Sequence, residues 1–71
     1  MKISYDAKVD ALYIEIRSLA PGTADNRELT EDVTANYGPD GKLAGLEILN
    51  ASSILGEKDI HKVILEVSSV V

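Results

Sequence analysis

The sequence predicts an α+β domain: an antiparallel four-stranded meander of two hairpins, a short helix after strand 4, and a candidate fifth strand in the C-terminal tail. Three observations carry this reading. Two stretches alternate apolar and polar residues with a period of two, "KISYDAKVDALYIEIR" and "VTANYGPDGKLAGLEILN". Each is interrupted by a short Asp- or Gly-bearing link of the kind that joins antiparallel strands. The second stretch runs into "NASSILG", where polar capping residues precede two apolar positions and a terminating glycine.

In the first hairpin Ile3 and Tyr5 take one face, and Lys2 and Ser4 the other. Leu12, Ile14 and Ile16 then alternate with Tyr13, Glu15 and Arg17. In the link "DAKVD", Asp6 can accept backbone N–H groups two or three residues on, and Asp10 can do the same where the chain re-enters the sheet. "SLAPGTADN" carries a Pro21-Gly22 turn and small polar residues, so a mobile loop is expected there. Residues 30–49 read as the second hairpin, with Val33, Ala35 and Tyr37 in period two and "GPDGK" as its turn. Beyond it, Ala44, Leu46 and Ile48 face one way; Leu43, Gly45, Glu47 and Leu49 face the other. Asn50, Ser52 and Ser53 are candidate N-caps for one or two helical turns closed by Gly56. In the tail, Ile60, Val63, Ile64 and Val67 keep helical spacing, whereas Val63, Leu65 and Val67 keep strand spacing. The β-branched content of "VILEV" favours a strand.

A chain of 71 residues makes a single small domain, 1–71, and a domain of that size buries a modest share of its surface. Three tyrosines are its only aromatic residues and it has no cysteine, so neither large aromatic anchors nor disulfides reinforce the core. Self-association is the remaining remedy, and a homodimer or higher homo-oligomer is expected. The net charge of −5 and seven scattered basic residues oppose nucleic-acid binding. No run is long and apolar enough for a membrane span and no signal-peptide region is apparent, which points to a cytoplasmic protein.

No catalytic constellation emerges. Asp6 and Asp10 are better explained as turn residues than as an acid/base pair. Glu47 sits on an otherwise apolar strand face, where burial would demand a partner such as Arg17, Lys42 or the Tyr13 hydroxyl. His61 is a single imidazole near Glu57 and Asp59, short of what a zinc site requires. Gly38, Gly41 and Gly45 lack the Lys-Ser/Thr ending and following helix of a phosphate loop. No metal, cofactor or nucleophile is therefore assigned.

"YDAKVDALYIEI" followed by "YGPDGKLAGLEILNAS" resembles the YuzE-like family of small uncharacterised prokaryotic proteins, over residues 3 to about 52. The positions that carry the resemblance are Tyr5, Asp6, Asp10, Ala11, Tyr13, Asp40, Gly41, Gly45, Glu47, Ala51 and Ser52, and structural roles are expected for them. Asn36 and Gly38 depart from it, standing where an acidic residue is often found, which weakens any role for a carboxylate cluster there. The resemblance implies no established activity; it also implies an association of some members with toxin–antitoxin-like gene pairs.

Two functions are thus expected to compete. The favoured one is a non-enzymatic protein-interaction module that forms a homo-oligomer and neutralises, antitoxin-like, a small basic cognate protein. Its candidate interface comprises Tyr13, Leu43, Leu49, Val63, Leu65 and Val67, with Val70 and Val71 beyond them. The alternative is a small ligand- or metal-binding domain, or a weak hydrolase, using carboxylates gathered at an oligomer interface.

Overall fold

The computed structural model describes residues 1–69. One antiparallel sheet contains five strands: β1 (Lys2–Asp6), β2 (Ala11–Glu15), β3 (Asp25–Glu28), β4 (Val33–Tyr37) and β5 (Leu43–Leu49). Helix α1 (Ala51–Leu55) and a single 3-10 turn (Asp59–His61) follow. The α+β class holds, with three differences from the sequence reading.

The spatial order is β1-β2-β5-β4-β3, so this is not a sequential meander. β5, rather than the strand after the long loop, pairs with β2. Residues 16–24 carry the chain from β2 past β5 and β4 to the far edge. The additional strand is β3, within a stretch expected to be loop. Its sequence, DNRE, is exposed at every position and has no apolar alternation to reveal it. Its ladder to β4 does not depend on burial: Asp25 lies opposite Tyr37 and Arg27 opposite Ala35. Arg27 places its guanidinium 5.3 Å from the Tyr37 ring centre, and Asn36 donates to Asn26 at 2.7 Å. Charged side chains suit an edge strand, because they oppose pairing with another sheet. The third difference is the C-terminal strand: residues 62–69 form neither strand nor helix, and Val70 and Val71 lie outside the described residues.

The alternation in β2, β4 and β5 works as anticipated. Register sets Leu12 opposite Ile48, Ile14 opposite Leu46, Val33 opposite Ile48 and Ala35 opposite Leu46, all on one face. α1 covers part of that face: Ala51 is buried against Leu12 and Ile48, with Tyr5, Ile14, Val33 and Ile60 packed around them. Near Tyr37 the β4–β5 register slips, pairing Tyr37 with Leu43. The Ala44 carbonyl instead accepts the amides of Ile16 and Arg17, at 2.8 and 3.2 Å. The "GPDGK" turn closes through Gly41 N–H to the Gly38 carbonyl at 2.9 Å, with Gly41 at φ +79°.

The core is thin. Its buried apolar residues are Leu12, Ala35, Ala44, Ile48 and Ala51, three of which contribute a single methyl group. Leu12 and Ile48 therefore carry most of the burial. We expect Ile48→Ala to cost about 2–4 kcal/mol in urea unfolding, a large share of what so small a domain possesses. Leu49→Ala on the opposite face, where Leu49 is exposed, should stay within about 0.5 kcal/mol of the parent.

Candidate functional site

Asp10 is the best-connected carboxylate in the described structure. It sits at the entry to β2 with φ +52°, a left-handed conformation that Asp and Asn tolerate better than most residues. Its Oδ1 accepts the Tyr5 hydroxyl at 2.7 Å and the Ser52 backbone N–H at 3.0 Å, and its Oδ2 accepts the Ser52 hydroxyl at 2.6 Å. Its carbonyl accepts the Ala51 N–H at 3.0 Å. Ser52 lies in the first turn of α1, where backbone donors lack helical partners. Asn50, the residue before the helix, is left-handed (φ 51°) and makes no side-chain cap; its amide donates instead to Asp32 at 2.8 Å. Asp10 therefore performs the capping that "NASS" suggests locally, from 42 residues away in sequence.

Asp10 accepts no backbone N–H within its own turn, as the sequence suggested it would; it ties the ends of the link through Tyr5 and holds the helix through Ser52. Asp6 does behave as expected, accepting the Lys8 N–H at 3.0 Å. The Ser52 hydroxyl is the main force keeping the Asp10 carboxyl below its ordinary range, and the Tyr5 hydroxyl adds to it. The same contact raises Tyr5, whose proton is shared with Asp10. Three hydroxyl or amide donors on one carboxylate make an anchor that ties β1, β2 and α1 together.

On the face opposite α1, Tyr13 pairs with Glu47 across β2 and β5, and Asn36 with Gly45 across β4 and β5. Gly45 is required by this crowding: a Cβ there would lie 2.6 Å from the Tyr13 hydroxyl and 3.0 Å from the Ile14 carbonyl. Asn36 Oδ1 is shielded from water without a hydrogen-bond partner. Tyr13, Glu15, Arg17, Asn36 and Glu47 line an open cleft of about 380 Å³ below the Pro21-Gly22 loop. Glu47 is exposed and has no hydrogen bond or ion pair among the described residues, so the partner expected for it is not formed. Arg17 pairs instead with Asp40 at 2.5 Å and with the Lys42 carbonyl at 3.2 Å. That guanidinium also holds the Asp40 carboxyl below its usual range. The pair crosses Gly38, where a Cβ would lie 2.7 Å from Arg17. A larger residue at position 38 would displace the Arg17 guanidinium, the movable end of a flexible side chain, and so disturb this bridge.

The apolar candidates fall on two sides of the sheet. Tyr13, Leu43 and Leu49 are exposed on strands β2 and β5, with Tyr13 and Leu49 on the face away from α1. Val63 and Leu65 lie on the α1 side, where two apolar hollows open. One, of about 310 Å³, is lined mainly by apolar side chains, among them Ile3, Leu12, Leu55 and Ile60, together with the charged Asp59 and Lys62. The other, of about 460 Å³, is lined by Met1, Ile3, Val63, Ile64 and Leu65. Val67 is also exposed. The sequence reading missed Ile3, Leu55 and Ile60 as part of this surface; the shared phase of Ile3 and Leu12 was the available signal. His61 turns its ring edge-on to Tyr5 at 6.0 Å between centres. Among the described residues, no group of three or more His, Cys, Asp or Glu is placed to hold a metal, and no helix is long and apolar enough to cross a membrane.

With an α+β sheet and an Asp–Tyr–Ser anchor in place, the class is that of a small α+β sheet domain. Residues 2–52 match the family described as Protein of unknown function (DUF2283), and the chain belongs to it. The match spans β1 through the first residues of α1, and so includes Tyr5, Asp10 and Ser52. No curated protein and no solved structure matches the chain.

The anchor makes stability depend on pH in both directions. Because Asp10 and Asp40 ionise more readily when folded, their contribution is complete above about pH 4 and lost as pH falls through their lowered values. Tyr5 is raised, so its contribution is complete below about pH 10 and lost as pH climbs through the raised value. Thermal melts from pH 2 to 11 should show both limbs. Asp10→Asn, which keeps the left-handed backbone but not the charge, should flatten part of the acid limb and shrink the Tyr5 limb, leaving what burial, Asp6 and Glu57 contribute. Asp10→Ala should lower Tm further at every pH.

Proposed function

We propose that this chain is a non-enzymatic interaction module whose working unit is a homo-oligomer, formed through the α1-bearing face of the sheet. The observation that carries this reading is surface area. The chain exposes 5589 Å², whereas a folded monomer of its 7.6 kDa mass is expected to expose about 4,300 Å². The excess, about 1,300 Å² per chain, matches what one partner contributes to an obligate interface. Large apolar side chains contribute to it: Ile64 and Leu65 are 69% and 87% exposed and adjoin the two hollows around Ile3. Exposed apolar area on this scale favours association.

The anchor supports the same reading, because its carboxylate is engaged by three structural donors. The acidity of the chain is compatible with a basic cognate protein, as in an antitoxin-like pair, but no positively charged partner is needed to explain the apolar face.

Native mass spectrometry of the purified protein tests the proposal. A dimer or higher homo-oligomer is expected, and Ile3→Asp should shift it towards monomer while leaving the circular dichroism spectrum unchanged. A wild-type protein that stays monomeric at micromolar concentration would overturn it.

A further inference from the structure

Each chain presents an unpaired strand edge and a segment without regular structure that could pair with it. The first is the outer edge of β1, which pairs only with β2. The second is the segment after the 3-10 turn. Lys62 is extended there (φ −130°, ψ 121°), and residues 63–69 make no hydrogen bond with the rest of the described chain. Exposed backbone of this kind is hydrated in the single chain, and an unpaired sheet edge beside apolar side chains is a template for strand addition. The sheet's other edge, β3, is closed to such pairing by its charged residues Asp25, Arg27 and Glu28.

Resting on the oligomer proposed above, we infer that residues 62–66 of one copy add antiparallel to the β1 edge of a second copy, with Glu66 opposite Lys2 and Lys62 opposite Asp6. In that register, Leu65 faces Ile3, Ile64 faces Ser4 and Val63 faces Tyr5. Charge complementarity selects it: opposite charges meet at both ends of a five-residue ladder, and the side chains of Lys2, Asp6, Lys62 and Glu66 are all exposed in the single chain. Side-chain phase agrees. Val63 and Leu65 extend the face of Ile3 and Tyr5, which already borders the apolar hollows, while Ile64 and Glu66 fall with Lys2, Ser4 and Asp6. A two-fold axis repeats the ladder, so each copy gives one segment and receives one. The result is a closed dimer with both β1 edges covered.

Light scattering across a dilution series tests the register on the full chain. Glu66→Lys should weaken the dimer about ten-fold, because the two-fold repeats each pair, and adding Lys2→Glu to the same chain should restore it. Ile64→Pro should yield monomers that keep the five-stranded sheet and lose only the strand signal of the added ladder. A wild-type dimer that is indifferent to Ile64→Pro and shows no charge-swap rescue would overturn the strand exchange and leave the homo-oligomer standing. A monomeric wild-type chain would overturn both.

Discussion

The Asp10 carboxylate is the constraint on which the rest of the arrangement depends. A five-residue helix has too few internal hydrogen bonds to persist alone. Asp10 supplies what α1 lacks, accepting both donors of Ser52 while its own carbonyl takes the Ala51 amide. Those bonds place Ala51 against Leu12 and Ile48. The same carboxylate takes the Tyr5 hydroxyl, so the β1–β2 connection and the start of α1 share one electrostatic centre. Its cost is a left-handed backbone at Asp10 and another at Asn50, both occupied by residue types that bear it readily.

What that anchor leaves uncovered matters as much as what it covers. α1 is one turn and a half long, and it shields only the part of the sheet face nearest Ala51. Ile3 and Ile14, at the other end of that face, meet the hollows bordered by Leu55, Ile60 and Val63. A sheet with one apolar face needs a second layer, and a five-residue helix does not provide a complete one. The self-association reading follows from this shortfall. The polar cleft around Tyr13 and Asn36, on the other face, contains an amide oxygen without a partner.

Much of this was legible in the sequence, and the exceptions have physical reasons. Alternation placed Leu12, Ile14, Leu46 and Ile48 on the covered face because period two survives wherever a strand is half buried. Turn chemistry located "DAKVD" and "GPDGK" for equally local reasons. β3 was hidden because an edge strand exposed on both faces need not alternate; DNRE pairs through its backbone and through Asn26 and Arg27. Strand order escaped as well, since no local pattern reports that β5 rather than β3 lies beside β2. The anchor was half visible. Tyr5, Asp10 and Ser52 all stood out as motif positions, yet only tertiary structure joins residues 42 apart. Glu47 misled because a carboxylate among apolar residues suggests burial, whereas that face of β5 is open.

The central claim is that a second copy completes the apolar layer, which ties folding to association. The concentration dependence of the melting temperature tests it most directly, because a fold stabilised by its own oligomer gains stability by mass action. From low to high micromolar protein at neutral pH, the account predicts a Tm that rises steadily by several degrees. A Tm independent of concentration over that range would contradict it.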